Sequence, residues 1–303
     1  MVKVAEVSIL MNGYNSDLYL KEAIDSVYAQ TYTDWEIVFI DNCSTDSTRE
    51  IVSKYDKKTR YYRTHTNVPL GKARNFGLQY CTGNYIAFLD CDDLFVMDKL
   101  EKQILAMQGG DFSMCYGSFV VIDESGKRIR KSIVQNKSGN VLPGLLRRYE
   151  INMQTVMLKR EFIVDNQLSF NTNMSYCPDH NLFMIVASKA NVAVIPDILA
   201  RYRVVKNSLS KRTINIAPKE YRMTIDELYK ANSDLRERLS RDFDYAYNKA
   251  IYYEVVADIH NNNISQARHK LKGMISSRIE YFLLYCLLLM PVPNKIILRL
   301  LKR

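Results

Sequence analysis

Between residues 6 and 90 the chain alternates short apolar runs with stretches of helical periodicity, and few folds accept that pattern. EVSILMN (6–12) reads as a strand and DLYLKEAIDSVYAQ (17–30) as an amphipathic helix opened by Asp17. WEIVFID (35–41) is a buried strand, and STDSTREIVSKYD (44–56) a helix with capping residues at its start. RYYRTH (60–65) is a short strand, GKARNFGLQYC (71–81) a helix and NYIAFLD (84–90) a strand. Apolar runs of this length between helices of ten or so residues specify β-α-β units, hence a mostly parallel sheet flanked by helices on both faces.

Farther on, residues 98–107 look helical. SMCYGSFVVID (113–123) and KRIRKSI (127–133) form a strand pair joined by ESG, followed by a strand at 152–158, a helix at 179–189 and a strand at 192–204. After about residue 215 strand signals stop and helical periodicity with Asn-rich punctuation takes over. The expected organisation is an α/β domain over 1–215, a helical extension over 216–277 and a basic amphipathic tail over 278–303.

Composition bounds the function classes. With 47% hydrophobic and 25% charged residues in 303, the chain is an ordinary globular protein that can bury a full core. Six scattered cysteines without zinc-type spacing read as reduced thiols of a cytosolic protein, and the N-terminus reads as a first strand rather than a signal peptide. No run approaches the ~20 apolar residues of a transmembrane helix. The formal charge of +9 is uneven: from Arg268 to Arg303 there are eight Lys or Arg against one acid, Glu280, a net of +7. That tail lacks the interleaved aromatics of a nucleic-acid surface and sets its charge beside leucines. Its ten-residue apolar block, Pro-x-Pro break and Lys295, Arg299, Lys302 and Arg303 predict an element lying on an anionic membrane. The alternative is a helix packed on the protein or in a homodimer contact.

In an open parallel sheet, ligands bind outside the carboxyl ends of the strands. Three such ends are polar: NGYN (12–15), DNCSTD (41–46) and DCDD (90–93). No G-x-G-x-x-G follows the first strand and no P-loop occurs, so a bound nucleotide needs another counter-charge for its phosphates. Asp90, Asp92 and Asp93 repel one another unless a cation sits among them. Mg²⁺ or Mn²⁺ takes one or two carboxylates together with phosphate oxygens, so Asp90 and Asp92 are candidate ligands. An isolated D-x-D-D is more often a turn with Asp93 or Asp98 capping the next helix. Convergence of three polar strand ends favours the metal.

The segments VSILMNGYN, AIDSVYAQTYTDWEIVFIDNCSTDST, GKARNFGL and GNYIAFLDCDD closely resemble the family 2 glycosyltransferases of the GT-A (Rossmann-like) fold. PDHNLF (178–183) and RYRVVKNSLS (201–210) resemble later segments of that family, so the likeness covers roughly residues 5–210. It implies an inverting enzyme that moves a sugar from a nucleotide donor, most simply a UDP-sugar, to a glycan or lipid-linked glycan acceptor at the inner face of the cell membrane. A degenerate member that binds without turnover is the alternative. Asn12, Gly13, Tyr14 and Asn15 would form the first nucleotide loop, with Tyr14 beside the base and Asp41 hydrogen-bonded to it. Lys72, Arg74 and Asn75 would approach the nucleotide or sugar. Asp90 would meet ribose or sugar, with Cys91 in the same donor loop, and Asp92 would hold the metal. Asp179 falls on the general base and Arg203 near the diphosphate. The chain departs from the family at Asn12-Gly13, where Pro-Thr is common, and at Asn42, Pro178 and Val205. With no His at 205, closure over the diphosphate is expected to rest on Arg201, Arg203 or Lys206.

Overall fold

The computed structural model describes residues 4–206, 214–293 and 296–298. It divides into two compact units, Met1–Lys211 and Arg212–Arg303.

In the first unit the alternation becomes β1 (Val7–Gly13), α1 (Asp17–Tyr28), β2 (Trp35–Asp41), α2 (Thr48–Val52), β3 (Thr59–Arg63), α3 (Leu70–Leu78) and β4 (Tyr85–Phe88). Every residue of β2 is buried and only Asn12 of β1 is not, as expected of parallel strands covered on both faces. Helix α1 buries Leu20, Ala23, Ile24 and Val27, the i, i+3, i+4, i+7 stripe of a helix facing a sheet. Helix α3 lies so close to the sheet that a Cβ on Gly77 would come within 2.3 Å of Leu10, which restricts that position to glycine.

The chain continues through β5 (Leu94–Phe95), α4 (Lys99–Gln108), β6 (Met114–Ile122), β7 (Arg128–Ser132), α5 (Leu142–Arg147), a 3-10 turn (Met153–Thr155), β8 (Met157–Lys159), α6 (Arg160–Asp165), α7 (Pro178–Lys189) and β9 (Val192–Arg203). The nine-stranded sheet runs β3-β2-β1-β4-β8-β6-β9-β5, with β7 paired to β6. The first four strands of that order pair in parallel. Beyond β4 the sheet is mixed: β6 and β9 are parallel, whereas β4–β8, β6–β8, β5–β9 and β6–β7 are antiparallel. The α/β class therefore holds, while the predominance of parallel pairing stops at β4. Because β1 has β2 on one side and β4 on the other, the winding reverses between β1 and β4. In open sheets a crevice forms at such a reversal, at the carboxyl ends of both strands.

Three local expectations are corrected. The helix expected over 44–56 is only α2, because Ser44 and Thr45 are occupied by bonds to Asp41 and to the loop after β1. The strand expected over 152–158 is a 3-10 turn and then three residues of β8, since the Asn152 side chain accepts from Gln154 N and opens the turn. The strand expected over 84–90 ends at Phe88, where Leu89 N still bonds Leu10 but Asp90 N turns to the Gln154 side chain.

The second unit holds α8 (Ala217–Ala231), α9 (Ser233–Arg238), α10 (Ser240–His260), α11 (Ile264–Lys272) and α12 (Ile279–Leu289). Its core joins Val255 and Ile259 of α10, Ala267 and Leu271 of α11, and Tyr281, Leu284 and Leu288 of α12. One face of the expected tail thus packs on its own unit. The other leaves Ile279, Phe282, Leu283 and Leu289 exposed. Among the described residues no helix is long and apolar enough to cross a membrane. Lys295, Arg299, Lys302 and Arg303 lie outside the described residues, as do Asn207 to Ser210 of the RYRVVKNSLS segment.

Candidate active site

Two loops at the crevice are laced together through backbone. Asn15, at φ +50°, donates its N–H to Ser44 Oγ (3.0 Å), and its Oδ1 accepts from Thr45 N (2.8 Å). Ser16 N donates to Thr48 Oγ1 at 3.0 Å. Asn is among the few side chains at ease with positive φ, so Asn15 suits the tight exit from β1. Gly13 is required for a different reason: a Cβ there would lie 2.9 Å from Cys91 Sγ. Cys91 is buried and donates to Asn12 O at 3.4 Å, so its thiol joins the β1 exit to the acidic loop. Burial and the flanking carboxylates push that thiol well above its ordinary range. Tyr14 is half exposed beside this junction.

Asp41 is wholly buried at the end of β2 with both oxygens engaged. Oδ1 accepts from Ser44 N (2.7 Å), and Oδ2 accepts from Tyr61 Oη (2.5 Å) and Arg63 Nη1 (2.7 Å). Burial raises its proton affinity, but these donors outweigh burial and hold it below the usual carboxylate range. Through these bonds Asp41 ties the β2 exit to β3. The Asn75 amide donates to Phe170 O and accepts from Phe170 N, both at 2.8 Å, fastening α3 to the segment before α7. Lys72 lies exposed on α3.

The acidic loop after β4 is the electrostatic centre. Asp92 is pushed up to about 6 by burial and by the charge of Asp90. Asp93 is buried and raised well above its ordinary value; its Oδ1 accepts from Arg203 N at 2.6 Å, and its Oδ2 has no hydrogen-bond partner. A cluster that resists ionisation in this way is short of positive charge. Among the described residues no three acidic, His or Cys side chains converge as a ready-made metal cage. Two carboxylates that leave the remaining positions to phosphate oxygens and water suit Mg²⁺ or Mn²⁺ better than a closed cage would, so Asp90 and Asp92 fit such an ion.

Arg203 is engaged within its own unit. Its guanidinium donates to Asp92 O (2.9 Å), Glu124 O (3.0 Å) and Glu22 Oε2 (2.7 Å) and stacks 4.3 Å from the Tyr19 ring, with its side chain 2% exposed. With its backbone N–H on Asp93 as well, Arg203 fixes the acidic loop from behind. The strand signal of β9 was visible in the sequence; the pairing of Leu94 with Arg201 in β5–β9 was not, and that pairing brings Arg203 to the loop.

Arg74 lies between the β1 exit, the acidic loop and α7. Buried on α3, it donates Nε to Asn12 Oδ1 (3.3 Å) and Nη2 to Asp90 Oδ1 (3.2 Å), and Nη1 stands 3.7 Å from Asp179 Oδ1 without a hydrogen bond. Asp179 is in the first turn of α7; burial raises its proton affinity and Arg74 partly offsets that. Asn12, Arg74, Asp90 and Asp179 therefore form one connected set, with Asp92 two residues along the same loop from Asp90. A residue not anticipated joins them: Gln154, buried on the 3-10 turn, bonds both the backbone and the carboxylate of Asp90. Its signal was an amide, one of two with Asn152, in the largely apolar run INMQTVML.

The glycosyl transferase family 2 model matches residues 8–175, from β1 to just short of Asp179. The chain belongs to this family. Among its relatives is the Escherichia coli protein named UDP-Glc:alpha-D-GlcNAc-diphosphoundecaprenol beta-1,3-glucosyltransferase WfgD, 32% identical over 211 residues, 67% of this chain and 79% of that one. Of solved family-like folds, Staphylococcus aureus TarS 1–349 with UDP-GlcNAc aligns at TM-score 0.65 and 19% identity over 83% of this chain and 81% of its own. The Pyrobaculum calidifontis mannosyltransferase PcManGT, in complex with GDP-Man and Mn²⁺, aligns at TM-score 0.62 and 16% identity over 100% of this chain and 89% of its own. These two likenesses establish the GT-A fold. The chain spans about a third of the length of the Rickettsia family members, named uncharacterized glycosyltransferases, with which it shares up to 37% identity.

Proposed function

We propose that the first unit transfers a sugar from a UDP-linked donor to a hydroxyl of a lipid-linked glycan, with inversion and with a divalent cation held by Asp92 and Asp90. The observation that carries this reading is the single connected set Asp90–Arg74–Asp179 at the switch point between β1 and β4. It offers an electropositive group, a paired acid site and a separate carboxylate within one crevice. The name of the E. coli relative supports a UDP donor and a diphosphoundecaprenol-linked acceptor.

In a single displacement the acceptor oxygen forms a bond to the anomeric carbon as the bond to the diphosphate oxygen breaks with its electron pair. Asp179 takes the hydroxyl proton; its raised proton affinity suits a general base. A bound Mg²⁺ or Mn²⁺ supplies charge compensation for the leaving diphosphate. Arg74 orients Asp90 and Asp179 relative to one another. Tyr14 offers a half-exposed ring for stacking on the base.

The exposed face of α12 supports docking on a membrane surface, at the cytoplasmic side where the six cysteines, none in a disulfide, stay reduced. The direct assay is release of UDP from UDP-sugars by the purified chain, with Mn²⁺ and with EDTA, in the presence of a diphosphate-lipid glycan. Metal-dependent release that increases with acceptor supports the reading. Absence of release with every donor contradicts it.

A further inference from the structure

We infer that Gln154 is a positioning residue for donor binding, acting through Asp90; this rests on the proposed function of the crevice. Asp90 N donates to Gln154 Oε1 at 2.8 Å, and Gln154 Nε2 donates to Asp90 Oδ2 at 2.7 Å. A backbone N–H can only donate, so the amide oxygen must face it and the NH₂ must face the carboxylate. The orientation of the amide is thereby set by Asp90 itself.

The other carboxylate oxygen accepts from Arg74 Nη2 at 3.2 Å, so Asp90 is held from two sides while its side chain stays one-third exposed (33%) to the crevice. Two fixed donors leave the carboxylate one orientation and keep its remaining lone pairs for a ligand. Asp90 is thus set in place before the donor arrives, which removes an ordering cost from binding.

Gln154 is itself anchored. Its N–H donates to Asn152 Oδ1 at 3.1 Å, and the carbonyl of the next residue, Thr155, accepts from Gln103 Nε2 at 2.8 Å. Gln103 belongs to α4, in the interior of the unit, so the turn carrying Gln154 is fastened from the core side. The pair is built across 64 residues of sequence and buries Gln154 to 1% exposure. A polar side chain buried that deeply for packing alone has no reason to direct both ends at one carboxylate residue.

The test is calorimetric titration of UDP and of GDP, each with Mn²⁺, into the full chain and three variants: Gln154→Met, Asp90→Ala and the double variant. Gln154→Met keeps volume and removes both bonds. Hydrogen bonds to a charged group are strong enough that its loss should weaken nucleotide binding about tenfold or more. In the Asp90→Ala background the same change should add almost nothing, because the group it positions is gone. Turnover should show a raised KM for donor together with a reduced kcat. Nucleotide affinity unchanged in Gln154→Met, or a full tenfold loss persisting without Asp90, overturns the inference. If the parent chain binds neither nucleotide, the proposed function fails first and this inference with it. Should Gln154→Met not fold, Gln154→Glu retains the acceptor for Asp90 N and sets a carboxylate against Oδ2. It should bind nucleotide more weakly than the parent, and equal binding overturns the inference.

Discussion

Arg74 Nη1 stands 3.7 Å from Asp179 Oδ1. The same guanidinium touches Asp90 through Nη2, so one buried cation spans the carboxylate proposed to meet the donor and the one proposed to deprotonate the acceptor. Arg74→Met should lower kcat by at least about a hundredfold. It should also move the acid limb of the pH–rate profile to higher pH. Burial raises the proton affinity of Asp179 and Arg74 is what lowers it, so without Arg74 the base ionises later as pH rises. An unmoved acid limb would show that Arg74 and Asp179 are not coupled.

Asp179→Asn retains shape and removes basicity. The expected loss is on the order of 10²–10⁴ in kcat, with nucleotide affinity kept because Asp179 is proposed to act on the acceptor. Transfer at the parental rate would remove Asp179 from the mechanism.

Arg203 is expected to behave as a structural residue. Arg203→Met deletes contacts to Glu22, Glu124 O and Asp92 O. Bonds from a buried guanidinium to two carbonyls imply a loss of about 3 kcal/mol of stability, measured by urea unfolding, and faster amide exchange at residues 92–95. A variant equally stable but poor in diphosphate binding would return Arg203 to the role first expected of it.

How much of this was legible in the sequence follows from where each relationship lies. β1, β2 and α1 announce themselves through periodicity, because burial of one stripe or of both faces is written in adjacent residues. The carboxylates of DCDD were legible as a cluster for the same reason. The partners of Asp41, Tyr61 and Arg63, were not legible because they come from β3 through a register that only the folded sheet defines. The place of Arg203 is hidden likewise: the β5–β9 pairing, defined only in the folded sheet, brings it behind the acidic loop. The short elements α5, α6 and β5 are too brief to show a period.

Lys99 gives a pH-dependent stability. It is wholly buried, with Nζ on Gln103 Oε1 and 3.9 Å from the centre of the Phe95 ring, and desolvation lowers it to about 7. Between there and the unfolded value of 10.5 the unfolded chain binds more protons, so stability rises with pH through that window and is lowest below it. Lys99→Met should be more stable than the parent at pH 6, and that advantage should shrink by on the order of 3 kcal/mol by pH 9. Urea unfolding at both pH values measures it; an advantage constant with pH contradicts a neutral buried amine.

The exposed face of α12 predicts vesicle binding. Phe282→Glu with Leu283→Glu leaves the buried Tyr281, Leu284 and Leu288 in place and should reduce co-sedimentation with anionic vesicles several-fold. Equal sedimentation of parent and variant would assign that face to another partner.

The central claim is that the acidic crevice seats a nucleoside diphosphate through a cation. Calorimetric titration of UDP into the full chain, with Mn²⁺ and then with EDTA, measures this most directly. Saturable heat that disappears with EDTA and in Asp92→Asn is the predicted result; heat that persists in EDTA, or none in Mn²⁺ with either UDP or GDP, contradicts it.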